Sequence, residues 1–402
     1  MQRLQRTEYL NKLIAFRDKH VIKIVTGIRR CGKSTLMEIF QDHLLSSGAA
    51  TSQIISINFE DFDFRSLHDP AQLHSYIKDR LVPNQMNYVF LDEIQHVNEW
   101  PAVVDSLFLR KNVDLYITGS NAYLLSGEIA TLISGRYVEI EMLPLSFREY
   151  VLGTGKQNSL SRSYLEYIEN SSFPYALELL DQPRELHDYL EGLYHTVVVK
   201  DLASRKKISD VMMLESIARF LFDSIGSPLS TKKIADTMTS SGRKIDVKTV
   251  EKYLSALTES FIVYQASRYN IKGKQHLKTL EKYYVVDIGL RRMLLGNRAT
   301  DVGHILENVI YLELLRRGCE VYVGKIDDLE VDFVAIDPKR TTYYQVAASV
   351  RDEHTLRREL ASLQKINDHY PKLILTLDED PEADYDGIRR INALDWLMGY
   401  TD

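Results

Sequence analysis

Short apolar runs alternate with amphipathic segments in the first third of the chain. The runs are Val21–Thr26, Ile54–Asn58, Tyr88–Leu91, Val113–Thr118 and Tyr137–Met142. Runs of this length, rich in β-branched and aromatic residues, are typical of buried strands. Stretches with helical spacing lie between them. Strands that are buried on both faces and joined by helices predict an α/β fold with a parallel sheet and helices on both sides.

The pattern changes three times after the predicted sheet. Residues 151–210 have helical spacing, and residues 211–285 begin with helices and end with alternating strands. Residues 286–402 return to an α/β pattern. We therefore predict four domains with the bounds 1–150, 151–210, 211–285 and 286–402. In the last of them we expect a helix at Ile305–Arg317 and strands at Val321–Tyr322, Val331–Ile336, Tyr343–Ala347 and Leu373–Leu377.

Composition narrows the class of protein. Of the 402 residues, 45% are hydrophobic and 26% are charged, as in globular proteins. The net charge of −6 argues against a protein that binds nucleic acid through an overall basic surface. The two cysteines, Cys31 and Cys319, do not suggest a disulfide framework. We find no signal peptide and no apolar run of about 18 residues, so we expect a cytoplasmic protein without a membrane span.

A glycine-rich segment follows the first predicted strand and precedes a predicted helix. It spans Gly27–Ser34 and fits the pattern G-x-x-x-x-G-K-S. In that context backbone N–H groups wrap nucleotide phosphates, Lys33 supplies positive charge and the Ser34 hydroxyl binds Mg²⁺. The alternative is a glycine-rich turn with a chance Lys-Ser pair. The predicted ATP-binding residues are Gly27, Ile28, Arg29, Arg30, Cys31, Gly32, Lys33, Ser34 and Thr35.

Two adjacent carboxylates end the third predicted strand. Asp92 and Glu93 follow the apolar residues Tyr88–Leu91. Ligands of open α/β sheets bind at this carboxyl end of the strands. We predict that Asp92 holds Mg²⁺ and that Glu93 orients and polarises the attacking water. The alternative is a pair of solvated acids at a strand end.

A polar group also ends the fourth predicted strand. The sequence there is Thr118-Gly119-Ser120-Asn121. A polar side chain at this position can contact the γ-phosphate and the attacking water, and we favour Asn121 over Ser120. The alternative is a helix cap, because serine and asparagine both cap helices well.

One arginine precedes the fifth predicted strand. Arg136 lies in Ser134-Gly135-Arg136-Tyr137. A cation there can stabilise transition-state charge on the ATP of a neighbouring subunit, as an arginine finger does. This role implies a homo-oligomer. The alternative is a surface arginine in a salt bridge.

These motifs, in this order, resemble the AAA+ superfamily. The segments Ile24–Thr35, Leu91–Gln95, Thr118–Ser120, Ser134–Arg136 and Pro144–Phe147 more closely resemble a widespread bacterial and archaeal family of AAA-type ATPases. The core of that family is similar to origin-recognition ATPases. The resemblance covers nearly the whole chain. It implies ATP binding and hydrolysis, a helical lid over residues 151–210 and a C-terminal domain related to restriction nucleases.

The chain departs from that family at one point in the lid region. Many members have two glycines before Phe-Pro, whereas here Ser171 and Ser172 precede Phe173-Pro174. Any role in the family that depends on those glycines is therefore in question for this chain.

Residues 211–285 predict a winged helix. Ser230 or Thr231 caps one helix, Val247–Leu257 forms the next, and Phe261–Tyr264 begins the wing. Between Arg243 and Lys282, nine Lys/Arg residues outnumber four acids. DNA binding and protein packing with a solvated basic face are equally compatible with this pattern. The predicted DNA contacts are Lys248, Lys252, Lys272 and Lys274, with further wing lysines at Lys278 and Lys282.

The last domain resembles the restriction-nuclease fold but lacks part of its chemistry. Such a site needs acidic metal ligands and a lysine near the metal-bound water. Glu307 and Asp332 fit the ligand positions, but the next strand carries Gln345 and Ala347 in place of an acid and a lysine. We therefore predict a nuclease-like fold without nuclease activity.

The function expected from the sequence is an ATPase that binds and hydrolyses Mg²⁺-ATP and acts as a switch or motor on DNA. One alternative is a signalling or scaffold ATPase whose C-terminal half binds protein. Another is a metal-dependent nuclease that ATP regulates.

Overall fold

The computed structural model describes residues 3–120, 122, 133, 135–203, 208–296 and 301–401, apart from the side chains of residues 200, 278 and 279. The chain divides into two compact units, Met1–Met142 and Leu143–Asp402. Both units are mixed α/β, and the first contains a parallel sheet. The predicted fold class is therefore confirmed. The four predicted domain bounds remain predictions.

The first unit is built on a sheet of five parallel strands in the order β2-β3-β4-β1-β5. Every residue of β1, β3 and β4 is buried, as their largely apolar sequences predict. All five strands lie within one residue of the predicted bounds at each end. They are β1 Ile22–Thr26, β2 Ile54–Asn58, β3 Asn87–Asp92, β4 Val113–Gly119 and β5 Tyr137–Glu141.

The helices of the first unit bury apolar side chains against this sheet. Leu73 and Ile77 of the third helix and Val104 and Leu107 of the fourth belong to one core with Ile24 of β1. The α-helices are α1 Thr7–Phe16, α2 Lys33–Ser46, α3 Pro70–Lys78 and α4 Trp100–Phe108. Short 3₁₀ turns cover Thr51–Gln53, Phe62–His68 and Ile94–His96.

A buried ion pair joins two strands near their amino ends. Lys23 of β1 pairs with Asp114 of β4, and both side chains are almost fully buried. The same carboxylate accepts hydrogen bonds from Tyr116 Oη at 2.7 Å and from the backbone N–H of Asp18 at 2.9 Å. Burial of a charge is tolerated only when it is paired and hydrogen-bonded in this way. At this point near the amino ends of the strands, the buried charges of Lys23 and Asp114 thus have ion-pair and hydrogen-bond partners.

The second unit begins with helices. They are α5 Phe147–Thr154, α6 Leu160–Asn170, a 3₁₀ turn Pro174–Leu179, α7 Pro183–Tyr194 and a π-helix His195–Leu202. Ser171 has φ 157° at the end of α6, in the region that favours glycine. Its hydroxyl donates to Asp287 at 3.1 Å, and Ser172 donates to the same carboxylate through N–H at 2.6 Å and Oγ at 2.7 Å. The two serines thus replace the expected glycine pair with side chains that bind Asp287.

Three helices and a hairpin follow in the order that a winged helix has. They are α8 Val211–Asp223, α9 Thr231–Ser240, α10 Val247–Glu259, β6 Val263–Asn270 and β7 Gln275–Val285. Helix α9 is capped by Ser230, whose side chain accepts from Lys233 N at 3.1 Å. Helix α10 is capped by Asp246, which accepts from Thr249 N at 2.9 Å.

The hairpin β6–β7 is part of a larger sheet. The sheet has eight strands in the order β12-β13-β11-β10-β9-β8-β6-β7. Strand β6 pairs with β8 in parallel, so that the predicted wing and the C-terminal strands share one hydrogen-bonded ladder. The remaining elements are α11 Ile288–Leu295, α12 Val302–Arg316, β8 Glu320–Ile326, β9 Leu329–Ile336, β10 Thr341–Ala347, α13 Glu353–Gln364, β11 Lys372–Thr376, β12 Ala383–Tyr385, β13 Ile388–Asn392 and α14 Ala393–Met398.

Candidate nucleotide-binding site

Two glycines set the shape of the loop between β1 and α2. Gly27 has φ 139°, and a Cβ atom there would lie 2.2 Å from the carbonyl oxygen of Met142. Gly32 has φ 104° and is the N-cap of α2. Side chains are excluded at Gly27 by contact and disfavoured at Gly32 by conformation. The loop is therefore held tightly between the strand and the helix, with the positive end of the α2 dipole at its end.

The ammonium of Lys33 lies inside this loop. Its side chain is 3% exposed. Nζ donates to the carbonyl oxygens of Gly27 at 3.0 Å and Ile28 at 3.3 Å, and to Ser120 Oγ at 3.2 Å. It also lies 3.6 Å from Glu93 Oε1. A buried cation with these exchangeable partners is placed to bind an anionic ligand that enters the loop.

Asp92 ends β3 beside the hydroxyl of Ser34. Its carboxylate accepts hydrogen bonds from Thr118 Oγ1 and from Ser34. Burial raises the pKa of Asp92, although both hydrogen bonds act to lower it. A hydroxyl and a carboxylate side by side are ligands that suit Mg²⁺, which takes most of its remaining ligands from water and phosphate. The residues present therefore fit the predicted metal.

Glu93 follows Asp92 in a left-handed conformation with φ 55°. Its Oε1 accepts from Ser120 Oγ at 2.5 Å, and its Oε2 accepts from Gln95 Nε2. Burial alone would raise the pKa of Glu93, but Lys33 and these hydrogen bonds bring that pKa below its usual value. The carboxylate is therefore ionised at neutral pH.

The order of the strands explains why these side chains meet. Strand β4 lies between β1 and β3, so that residues at its carboxyl end lie between the glycine-rich loop and the paired carboxylates. Thr118 bridges the two acids, because its Oγ1 donates to Asp92 and accepts from the N–H of Glu93 at 2.9 Å. Ser120 contacts both Lys33 and Glu93. Asn121, the residue favoured from sequence, lies outside the described residues.

Thr118, Ser120 and Gln95 all hydrogen-bond to the paired carboxylates or their backbone. Sequence reasoning considered Ser120 but ranked it below Asn121, and it assigned no role to Thr118 or Gln95. The signal for these residues was their position at or just after the ends of predicted strands. Two further contacts brace the loop, since Arg6 Nη1 donates to the carbonyl oxygen of Cys31 at 2.9 Å and Arg29 pairs with Glu60 at 2.5 Å.

Arg136 lies away from this cluster along the strands. It precedes β5, and its carbonyl oxygen accepts from the N–H of Ile22 at the start of β1, whereas Gly27 follows the end of β1. Its guanidinium pairs with Asp105 of α4 and lies 5.7 Å from the ring centroid of Phe108. Arg136 therefore lies at the edge opposite the loop of its own chain. If Arg136 takes part in catalysis, it does so at the ATP site of another subunit.

The nuclease-like region contains a buried cluster around a lysine. Glu307, Asp332 and Gln345 lie on α12, β9 and β10, as predicted. Lys282 of β7 lies among these acids, 2.8 Å from Glu307 Oε1 and 3.8 Å from Asp332 Oδ1, and it also pairs with Glu330. The ammonium thus pairs with Glu307 and Glu330 and lies near Asp332, so the two acids at the ligand positions of the nuclease fold share one buried cation. Among the described residues, no three or more His, Cys, Asp or Glu side chains are arranged so that they could hold a metal ion together.

The predicted DNA-contacting lysines differ in their surroundings. Lys248 and Lys252 are exposed on α10, whose opposite face is buried. Lys272 is exposed but pairs with Asp327 at 2.7 Å, and Lys274 lies exposed in the turn of the hairpin. Lys282 lies on strand β7 of the predicted wing, but the prediction that it contacts DNA is wrong, because its side chain is only 3% exposed and is surrounded by carboxylates. The side chain of Lys278 lies outside the described part of the chain.

A search of the described residues for membrane spans finds no helix that is long and apolar enough to cross a bilayer.

Comparisons with known proteins match two segments of the chain to family models and nearly the whole chain to a relative. Residues 19–151 match the model of a family described as an AAA domain. Residues 161–301 match a domain of unknown function, DUF8612. An uncharacterized protein of Haemophilus influenzae is 38% identical over 399 residues, which are 98% of each chain. An uncharacterized protein of Methanocaldococcus jannaschii is 29% identical over 332 residues, which are 78% of this chain and 71% of that one.

Solved structures match at low sequence identity. The ORC1 protein of Aeropyrum pernix in complex with DNA is 14% identical, with 73% of this chain and 92% of that chain covered and a TM-score of 0.34. AMPPCP-bound DnaA from Aquifex aeolicus is 15% identical, with 63% and 86% covered and a TM-score of 0.32.

Proposed function

We propose that this chain, which belongs to the family of AAA-domain proteins, binds Mg²⁺-ATP at the loop Gly27–Ser34 and hydrolyses it. One observation carries the proposal: Lys33, Asp92 and Glu93 converge at the carboxyl ends of β1, β3 and β4. A phosphate-binding cation, a metal-binding acid and a base are the groups that ATP hydrolysis needs.

Binding of ATP exchanges the partners of Lys33. Its Nζ leaves the carbonyl oxygens of Gly27 and Ile28 and takes phosphate oxygens, which are better acceptors because they are charged. Ser34 and Asp92 would hold Mg²⁺, which when bound neutralises charge on the phosphates. The backbone N–H groups at the start of α2 bind the remaining phosphate oxygens.

Glu93 acts as the base for the attacking water. Departure of Lys33 toward the phosphates removes the cation that lowers the pKa of Glu93, so the carboxylate becomes a better proton acceptor when ATP is bound. Its position at the end of β3 places it next to Asp92 and Ser120. Asn121, which follows Ser120, remains a proposed contact to the γ-phosphate.

Two variants test the proposal. Lys33→Ala should lose ATP affinity, measured with a fluorescent ATP analogue, whereas Glu93→Gln should keep that affinity and lose hydrolysis by about 100-fold or more. Lys78→Ala, an exposed lysine on α3, is the matched control and should leave both measurements unchanged. A Glu93→Gln variant that turns over at the wild-type rate would refute the assignment of the base.

We further propose that the chain acts on DNA through α10. Lys248 and Lys252 are one turn apart and exposed, and no ion pair links either of them to another described residue. The opposite face of the helix, with Val250, Tyr253 and Leu257, is buried in the second unit. Two unpaired cations on one face favour contacts with phosphates.

The test is DNA binding as a function of salt. Lys248→Glu with Lys252→Glu should weaken binding to all sequences alike and flatten the salt dependence, since each lost phosphate contact removes a log–log slope of about 0.9. Lys78→Glu with Lys111→Glu makes the same charge change on exposed lysines of the first unit and is the control. Unchanged binding would favour the alternative of a scaffold ATPase whose C-terminal half binds protein.

The alternative of an ATP-regulated nuclease is disfavoured by Gln345 and Ala347, which stand where such a site needs an acid and a lysine. Alanine cannot replace the lysine of the metal-bound water. Plasmid incubated with the protein, Mg²⁺ or Mn²⁺ and ATP should stay intact. Nicking that Asp332→Ala abolishes would reinstate the nuclease.

A further inference from the structure

Gln95 makes one hydrogen bond to the proposed base and leaves its acceptor unused. Its Nε2 donates to Glu93 Oε2. Its Oε1 is buried from solvent and has no hydrogen-bond partner among the residues that the structure describes. A buried acceptor without a donor is unfavourable, and native proteins seldom keep one without a functional reason.

The backbone holds the Gln95 amide beside the base. Gln95 is the middle residue of the 3₁₀ turn Ile94–His96, which follows β3 directly. The turn is fixed at its start by Glu93, whose N–H donates to Thr118 Oγ1, and by Ile94, which is fully buried. The orientation of the amide is therefore set by the same turn that sets the base.

The two oxygens of Glu93 are bound unequally. Oε1 accepts from Ser120, which also contacts Lys33, and Lys33 is the residue that moves to the phosphates. Oε2 accepts only from Gln95 among the described residues. Of the two hydrogen bonds to the Glu93 carboxylate, the one from Gln95 thus does not involve a partner of Lys33.

We propose that Gln95 positions the attacking water for Glu93. Its Nε2 keeps the carboxylate oriented, and its Oε1 accepts a hydrogen bond from the water. The water oxygen forms the new bond to the γ-phosphorus, the bond from phosphorus to the bridging oxygen breaks with its electron pair on ADP, and the water proton passes to Glu93. This inference rests on the proposed ATPase function.

A hydrolysis measurement separates this role from a passive contact. Gln95→Met keeps the length of the side chain without its hydrogen bonds, so kcat should fall by about 10- to 100-fold while ATP affinity stays within twofold. Gln95→Asn keeps an amide one carbon shorter and should recover part of kcat. Gln72→Met, on an exposed face of α3, is the matched control.

A second variant shows whether Gln95 acts through the base. In a Glu93→Gln background, Gln95→Met should cause little further loss, because groups that act as a unit are not additive. Full additivity, an unchanged kcat or a raised kcat would overturn the inference while leaving the proposed function intact. A wild type that binds ATP but never hydrolyses it would overturn both.

Discussion

Lys282 of β7 and Glu307 of α12 form a buried ion pair, with Nζ and Oε1 2.8 Å apart. The lysine is also paired with Glu330, and Tyr284 Oη donates to the same Glu307 oxygen at 2.6 Å. The pair connects the predicted wing to α12, the second helix of the region that was predicted to be nuclease-like. It converts a set of would-be metal ligands into a satisfied structural cluster.

The first prediction concerns the stability of this cluster. Lys282→Met should destabilise the second unit by about 3 kcal/mol, because it removes the ammonium that pairs with the buried carboxylate of Glu307. Urea unfolding followed by the fluorescence of Trp396 in a Trp100→Phe background reports on this unit. Adding Glu307→Gln to Lys282→Met should recover part of the loss. Equal stability of Lys282→Met and its parent would show that the ammonium is not required.

The second prediction concerns pH and the buried carboxyl of Asp287. Burial raises the pKa of Asp287, although hydrogen bonds from Ser171, Ser172 and Leu290 lower it. Above about pH 4 the native state therefore binds more protons at Asp287 than the unfolded state does. The free energy that Asp287 contributes to stability consequently falls as the pH rises from there. We expect the free energy of unfolding of Asp287→Asn in urea, minus that of the wild type at the same pH, to be more positive at pH 8 than at pH 5.

A surface carboxylate provides the control for that measurement. Asp328 is exposed on the turn between β8 and β9. Asp328→Asn should show the same difference from wild type at pH 5 and pH 8. A pH-independent difference for Asp287→Asn as well would contradict the raised pKa.

The third prediction concerns the close approach at Gly27. Gly27→Ala places a Cβ atom 2.2 Å from the Met142 carbonyl oxygen at φ 139°, so the loop must shift. ATP affinity should fall by at least about tenfold, since the phosphate-binding N–H groups move with the loop. Gly48→Ala has open space around it and is a control for substitution at positive φ. Normal ATP binding by Gly27→Ala would refute the phosphate-loop assignment.

The fourth prediction concerns Arg136 as a group supplied in trans. Arg136→Ala and Lys33→Ala subunits, each inactive alone, should regain part of the ATPase rate when mixed, because one retains the arginine and the other the ATP site. The intrachain pair with Asp105 is half-exposed and contributes little, so a neighbouring subunit can compete for the guanidinium. A wild type that is monomeric and active at every concentration would exclude this role.

The sequence by itself determined the elements of the ATP-binding unit. Each strand is a short apolar run whose character does not depend on its neighbours, and the positive φ angles of the loop favour glycine at positions 27 and 32. The loop Gly27–Ser34 is one continuous segment, and Asp92 and Glu93 are adjacent to each other, so both motifs could be predicted from residue type and spacing. In the C-terminal region the same reasoning predicted α12, β9, β10 and β11, but it gave only two residues of β8 and missed β12, β13 and α14.

The tertiary structure alone decided which polar groups meet. Ser120 reaches Glu93 and Thr118 reaches Asp92 because β4 lies beside β3, a pairing that no local pattern encodes. Lys282 looked like one more surface lysine, yet its partners are Glu307, 25 residues away, and Glu330 on another strand. Whether a charge is buried depends on residues distant in sequence, because burial is set by packing and the compensating charges arrive only when the chain folds.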